Sequence, residues 1–287
     1  MIRLTQIKLP ADHTPEALKK KIAKLLRIAP EEILELHIRK RSLDARKKPE
    51  LFYSYTVDVS ASREKELLHK GKNPQISLCK EEHYHFPEAG EERLRERPLI
   101  IGTGPAGLFC GLMLARHGYR PILLERGSSV EERQKKVNAF WQGGTLDLQT
   151  NVQFGEGGAG TFSDGKLNTL VKDPLKRGQL VLELFTEFGA DPSILYDHKP
   201  HIGTDVLAEV VKAMRQEIIR LGGTVRFDTQ VTDLLVEQQN VSGVKVSFAD
   251  SQTGVQTEET IKSSIVVLAI GHSARDTFSM LLSRQVP

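Results

Sequence analysis

Cysteine is nearly missing. The 287-residue chain has two, Cys79 and Cys110, in different regions and in no C-x-x-C spacing. A disulfide scaffold is excluded, and so is a redox-active dithiol relay. No run of apolar residues approaches the length of a membrane span, and the first residues, Met1-Ile-Arg-Leu-Thr-Gln-Ile-Lys8, lack the apolar core of a secretory leader. The expected compartment is the cytoplasm, with no membrane as partner. Excess charge of one sign is also small, since the net balance is +3. Residues 1–95 hold 20 Lys/Arg against 15 Asp/Glu, and the remainder 20 against 22. That front-loaded basic excess is mild and reads as a solvated face. Residues 1–95 also show no aromatic-rich RNA motif and no helix-turn-helix signature, which argues against nucleic acid as a partner. There are no internal repeats and no paired metal ligands, so no metal is expected.

What remains is an ordinary globular composition, 39% apolar and 27% charged, with length enough for two domains. Residues 2–9 read as a strand. Thr14 and Pro15 then open a helix as N-cap and first residue, with Leu18, Ile22, Leu25 and Leu26 on one face. Residues 33–41 and 51–59 alternate as strands, and the basic stretch 42–50 is expected to be the hairpin turn between them. A short helix at 63–70 and a strand at 75–79 complete a β-α-β-β-α-β order. Residues 87–98 are charged and poor in apolar side chains, a linker or an exposed helix.

The segment Pro98-Leu-Ile-Ile-Gly-Thr-Gly-Pro-Ala-Gly107, followed by Ile122-Leu-Leu-Glu-Arg-Gly127, carries the strongest chemical signal. It reads as strand, glycine turn, helix, second strand and acidic end, which is the order a dinucleotide site requires. Gly102 lets the chain turn out of the strand. Gly104 lets backbone approach a diphosphate, and Gly107 lets the helix pack closely. Pro105 suits the first helical turn, and Ala106 follows it, at a helix N-terminus that favours anions. Glu125, 23 residues after Gly102, is placed to accept from both hydroxyls of an adenosine ribose. It would repel a 2′-phosphate, which disfavours NADP at this position.

Residues 127–166 form a long glycine-rich segment, expected to be a functional loop. Within it, Gly155-Glu-Gly-Gly-Ala-Gly-Thr-Phe-Ser-Asp-Gly-Lys166 places five glycines in twelve positions. So much uncovered backbone N–H suits an anion or a flat ring lying along the main chain. The subset Gly160 to Lys166 matches the start of a triphosphate-binding loop. Leu167, however, stands where a Ser or Thr hydroxyl should hold Mg²⁺, and no apolar strand leads in, which removes an ATPase or GTPase reading. Helices at 179–188 and 204–221 follow, then strands at 224–227, 231–236, 241–248 and 257–261. The run 265–270 is unbroken and apolar, as expected for a parallel strand buried on both faces. It ends in Gly271 and His272, at the carboxyl edge where open α/β sheets bind ligands.

Taken together, Gly102-Thr-Gly-Pro-Ala-Gly107 with Glu125-Arg126, the loop Gly157-Gly-Ala-Gly-Thr-Phe-Ser-Asp-Gly-Lys166, and Ala269-Ile-Gly-His-Ser-Ala-Arg275 resemble the bacterial FAD-dependent dehydrogenase-like flavoproteins. Lys40-Arg-Ser-Leu-Asp-Ala-Arg-Lys-Lys48 and Tyr53-Ser-Tyr-Thr-Val-Asp58 extend the resemblance to the front of the chain. It implies an FAD site in which the first motif holds the ADP half, Glu125 and Arg126 lie at the adenosine, and backbone near Val231 meets the adenine. It further implies that Gly158, Ala159, Gly160, Thr161, Ser163, Asp164 and Lys166 run along the flavin, with Ala269, Gly271 and His272 at its far end. The fold expected is α/β, a Rossmann-type FAD-binding domain with a β-meander insertion over 98–287. A small α+β, ferredoxin-like domain over 1–90 precedes it, with 91–97 as linker.

The activity implied is that of an FAD-dependent oxidoreductase passing hydride between a reduced donor and flavin, with NAD(P)H as a candidate donor and an unassigned small-molecule substrate. Asp164, Lys166 and His272 are the candidates for proton transfer. Such flavoproteins usually run on into a substrate domain, so a chain ending at Pro287 is expected to be the front half of a longer protein, with an incomplete catalytic face and weakened FAD affinity. Two other readings stand beside this one. An NAD-binding dehydrogenase without flavin leaves the long loop with no role. A flavin domain whose basic front domain binds RNA or a protein partner is the other.

Overall fold

A computed structural model describes residues 1–62, 64–69, 73–167, 169, 171–249 and 253–286. Contacts divide the chain into two units, one made of Met1–Pro87 and Lys166–Ile202, the other of Glu88–Gly165 and Gly203–Pro287. Residues 166–202, which the sequence placed inside the second domain, therefore pack with the first unit.

In the first unit, β1 (Ile2–Pro10) leads to α1 (Pro15–Leu26), whose Leu18, Ile22, Ala23 and Leu26 are buried on one face. Then come β2 (Ile33–Lys47), β3 (Glu50–Ala61), α2 (Glu64–His69) and β4 (Ile76–Leu78). The sheet order is β2-β3-β1-β4 with every neighbouring pair antiparallel, a ferredoxin-like arrangement. Its core joins Ile2 and Leu4 of β1, Leu18 and Ile22 of α1, and Val57 and Val59 of β3. Each such side chain contributes about 1.5–3 kcal/mol by burial.

Two local expectations change, and one open alternative narrows. Thr14 takes the N-cap position, with Pro15 in the first turn, but its side chain makes no capping bond. The basic stretch expected as a turn is mostly paired strand, with Ser42 opposite Ser54, Leu43 opposite Tyr53 and Asp44 opposite Phe52. Backbone pairing needs no apolar side chain, and Asp44 holds Lys8 at 2.9 Å and Arg46 at 2.7 Å. Residues 87–98 carry no helix. Residues 63 and 70, the expected ends of the second helix, lie outside the described residues.

The second unit opens with β5 (Leu99–Ile101), α3 (Pro105–Arg116), β6 (Ile122–Leu124) and α4 (Val130–Trp141). The chain then passes through the segment of the first unit that carries α5 (Arg177–Glu187). It returns as α6 (Thr204–Arg220) and β7 (Thr224–Arg226). An antiparallel meander of β8 (Thr229–Glu237), β9 (Asn240–Ala249) and β10 (Gln256–Lys262) follows. Last are β11 (Val266–Leu268) and α7 (Arg275–Ser283).

The main sheet of this unit runs β11-β5-β6-β7 and is parallel throughout. Strand order reverses between β5 and β11, and such a switch point opens a crevice at the carboxyl ends of the strands. At the opposite edge the Arg97 guanidinium donates to the carbonyls of Arg120 at 2.6 Å and Pro121 at 3.1 Å, and to the Thr224 hydroxyl at 2.8 Å. Strand β11 is parallel as expected but stands at the sheet edge, so Leu268 stays 39% exposed rather than buried on both faces. Helix α4 falls inside the segment expected to be irregular, and α7 has no counterpart in the sequence reading.

Candidate functional site

The glycine turn is built by contact. Gly102 has φ +100°, and a Cβ there would lie 2.5 Å from the Ala269 carbonyl oxygen. A Cβ on Gly107 would lie 1.9 Å from the Gly102 carbonyl oxygen, so α3 can sit this close to the turn only without a side chain. Gly104 differs. It is the N-cap of α3 and offers no side chain to the first-turn N–H groups, and a Cβ there would approach nothing nearer than Gly158 Cα at 4.0 Å. The turn leaves an uncapped helix N-terminus, which attracts negative charge.

Glu125, at the end of β6, is buried. Its Oε2 accepts from the Thr103 backbone N–H at 2.8 Å and the Thr103 hydroxyl at 2.9 Å. Its Oε1 accepts from the N–H groups of Gly127 at 3.0 Å and Gly155 at 3.1 Å. A carboxylate offers about four acceptor positions, and here all four are taken. The residue expected to hold a ribose thus also joins the turn, the second strand and the glycine loop. Of its four donors, the Thr103 hydroxyl is the one that can rotate away for a sugar hydroxyl.

The glycine loop is anchored from beneath by Arg133 of α4, a fully buried side chain. Its guanidinium donates to the carbonyls of Asn151, Val152, Glu156 and Gly158 at 2.7–3.0 Å, and to the Thr161 hydroxyl at 3.1 Å. It also lies over the Phe162 ring, 4.8 Å from the centroid. Burial lowers its pKa to about 10, with Glu125 and Glu156 pulling the other way. A Cβ on Gly155 would meet Arg133 Cδ at 2.4 Å, so that glycine leaves room for the anchor.

Glu156 is fully buried beside it. Its Oε2 accepts from the Val130 N–H and from Arg215 of α6, at 2.8 and 2.9 Å, while Oε1 has no hydrogen-bond partner among the described residues. Burial pushes its carboxyl up to about 7, against the Val130 hydrogen bond and the Arg215 charge. Arg215 also bonds Glu131 at 2.7 Å.

These parts wall a cleft of about 540 Å³ at the carboxyl edge of the sheet, within the range of small-molecule and cofactor sites. Gly102, Gly104, Pro105, Ala106, Glu125, Arg126, Gly158, Ala159, Val231, Ala269, Gly271 and His272 all line it. Gly107 and Thr161 stand behind the wall as packing and anchoring positions. Gly160, Ser163 and Asp164 are not among the lining residues, and Lys166 belongs to the first unit, where it bridges to His201. The sequence reading missed Phe154, Thr229, Thr277, Phe278 and Leu281, which also line the cleft. It missed Arg133, Glu156 and Arg215 as well. A single arginine inside an otherwise helical apolar stripe (Val130, Arg133, Val137) was the available signal. An uncapped helix N-terminus, a carboxylate at the end of the second strand and apolar walls at Val231 and Leu281 fit an extended dinucleotide.

Residues 97–275 match the family model described as FAD binding domain, and residues 1–60 match a domain of unknown function. An uncharacterized protein of Clostridium beijerinckii is 42% identical over 285 residues, covering 99% of this chain and 51% of that protein. A dual trans-enoyl reductase/FAD-dependent monooxygenase of Aspergillus terreus is 29% identical over 167 residues, covering 54% of this chain and 20% of that protein. The chain therefore spans about half the length of the first of these relatives and a fifth of the second. Among solved structures, Thermovibrio ammonificans THI4 shares 18% identity over 67% of this chain and 63% of its own, with a TM-score of 0.44. That likeness is too loose to carry function. The glycine turn, the acidic second strand and the match over 97–275 agree: the chain belongs to the FAD binding domain family.

Proposed function

We propose that this chain is the FAD-binding part of a flavin-dependent oxidoreductase of the dehydrogenase type, with a nicotinamide nucleotide as hydride donor. One observation carries the reading. The cleft at the switch point is continuous from Glu125 and Arg126, past the uncapped N-terminus of α3, to Gly271 and His272 beyond β11. That gives an adenosine end, a diphosphate position and a distal end in one groove. Bound FAD supplies the redox chemistry, and the protein supplies position and electrostatics.

The chain's own groups divide the work. First-turn N–H groups of α3 would receive the diphosphate, and Glu125 would accept one ribose hydroxyl in place of the Thr103 hydroxyl. Arg133 and Glu156 hold the loop that backs the groove. Of the proton-transfer candidates, His272 is the one that lines the cleft, with Nε2 3.4 Å from the Ser273 hydroxyl, and we assign proton handling at the distal end to it. Anaerobic titration of the FAD-loaded protein with NADH and NADPH tests the reading. Bleaching of the flavin bands by either nucleotide supports a nicotinamide nucleotide as the hydride donor. A spectrum that neither changes sends the hydride-donor assignment to another reductant.

A further inference from the structure

Behind the cleft, Glu156 is a fully buried carboxyl in the stretch between Gly155 and Gly158, both of which line the cleft. The N–H of the next residue, Gly157, donates to the Thr103 carbonyl of the glycine turn at 2.9 Å. Glu156 therefore lies one residue from the backbone contact that joins the loop to the anion-attracting N-terminus of α3. We propose that Glu156 is a positioning residue whose proton is linked to FAD binding: its neutral carboxyl keeps the loop seated on the turn, and the arriving diphosphate in turn holds that proton on.

The cations around Glu156 are few and shared. On α6, Arg215 donates to its Oε2 at 2.9 Å and, through its other terminal nitrogen, to Glu131 at 2.7 Å. Glu131, on α4, is 37% exposed and has Lys212 at 3.9 Å, so water and a second cation keep it ionised. Arg133, also on α4, directs its hydrogen bonds to carbonyls and the Thr161 hydroxyl. From the end of β6 the buried Glu125 adds negative charge. Asp228, just before β8, accepts from the Ser128 hydroxyl at 2.7 Å, and the Ser128 carbonyl takes the Glu156 N–H at 3.2 Å. Arg215 is thus the one cation bonded to the Glu156 carboxyl among the described residues, and Oε1 has no donor among them. A buried carboxylate with an unpartnered oxygen favours its neutral form, and burial carries this group up to about 7. The FAD diphosphate is an anion, and bringing it to the turn disfavours a further negative charge behind the loop. Linkage makes the effect reciprocal: the protonated chain binds FAD more tightly, and FAD strengthens proton binding at Glu156 by the same factor.

The proposal rests on FAD binding by this unit. Calorimetric titration of the full chain with FAD tests it, from about pH 6 to about pH 8.5, in HEPES and in Tris, whose different ionisation heats reveal proton uptake. FAD itself keeps a constant charge over this range. For wild type the dissociation constant should rise about tenfold across it, an ordinary coupling between two sites, with net proton uptake near the middle. In Glu156→Gln, which keeps the shape and cannot ionise, affinity should stay within about twofold of the wild-type value at the acid end, and the rise and the uptake should both disappear. His272 is present in both proteins, so its own titration cancels in the comparison. A wild-type affinity independent of pH, proton release or no exchange on binding, or the same profile in Glu156→Gln would each overturn the proposal. The wild-type measurements stand even if the variant fails to fold. Failure of FAD to bind at any pH would instead strike the parent reading.

Discussion

Arg133 and Glu156 lie behind the cleft wall, yet the loop's conformation depends on them. Arg133 gathers four carbonyls and one hydroxyl, and removing it leaves those groups buried without donors. Losing one partner from a buried charged network costs about 3–5 kcal/mol, so Arg133→Met should lower the unfolding free energy by that order and weaken FAD binding with it. Urea unfolding of the ligand-free protein checks the first part, and unchanged stability would contradict it. Glu156 titrates against the usual direction. Its carboxyl lies at about 7 in the folded chain against an ordinary 4.5, so the folded state holds the proton more tightly than the unfolded state does. The stability tied to this proton is fully present below pH 4.5 and is lost as pH rises through 7, at about 1.4 kcal/mol per unit of displacement. Comparing wild type with Glu156→Gln between pH 4.5 and 8 isolates the contribution from other carboxylates. The variant should lose less stability across that range, and parallel curves would contradict the assignment.

Among elements, the turn into α3 separates packing from binding. A Cβ at Gly107 collides with the Gly102 carbonyl, so Gly107→Ala should push α3 from the sheet, destabilising by about 1–3 kcal/mol and abolishing FAD binding. Gly104 has open space around its missing Cβ. Gly104→Val should leave folding within about 1 kcal/mol, the order of a changed N-cap, while weakening FAD binding by at least tenfold, as read by fluorescence titration. Loss of fold in the Gly104 variant would contradict this division. The same contrast shows what was legible in the sequence. A close backbone approach demands glycine, and that demand is visible in one chain, so β5, the turn, α3 and β6 were readable. Helix α4 was not, because a buried guanidinium sits where the pattern calls for an apolar side chain. The stretch 42–47 joins β2 through backbone pairing, which polar residues do not announce. Glu156 and Arg215 are 59 positions apart, and no local pattern relates them. Helix α7 carries too much Ser, Thr and Asp to read as helical.

At the scale of the whole chain, two units and one family assignment frame the function. The β-α-β-β-α-β order of the first unit was visible as alternating elements, but its capture of residues 166–202 was not, since Arg41 pairs with Asp197 at 2.6 and 2.8 Å across 156 positions. No helix among the described residues is long and apolar enough to cross a membrane. A ligand that binds only the folded second unit stabilises it by mass action, about 2.7 kcal/mol at a hundredfold excess over Kd, so FAD should raise the melting temperature in a concentration-dependent way and riboflavin, which lacks the ADP half, should not. The central claim is that the cleft walled by Gly102–Gly107, Glu125 and the Arg133-anchored loop holds FAD. The most direct measurement is the visible spectrum of the purified chain after incubation with FAD and removal of free flavin. One equivalent of flavin on wild-type protein, and little on Gly104→Val, is the predicted result. A colourless wild-type protein, or equal flavin on both, would contradict the account.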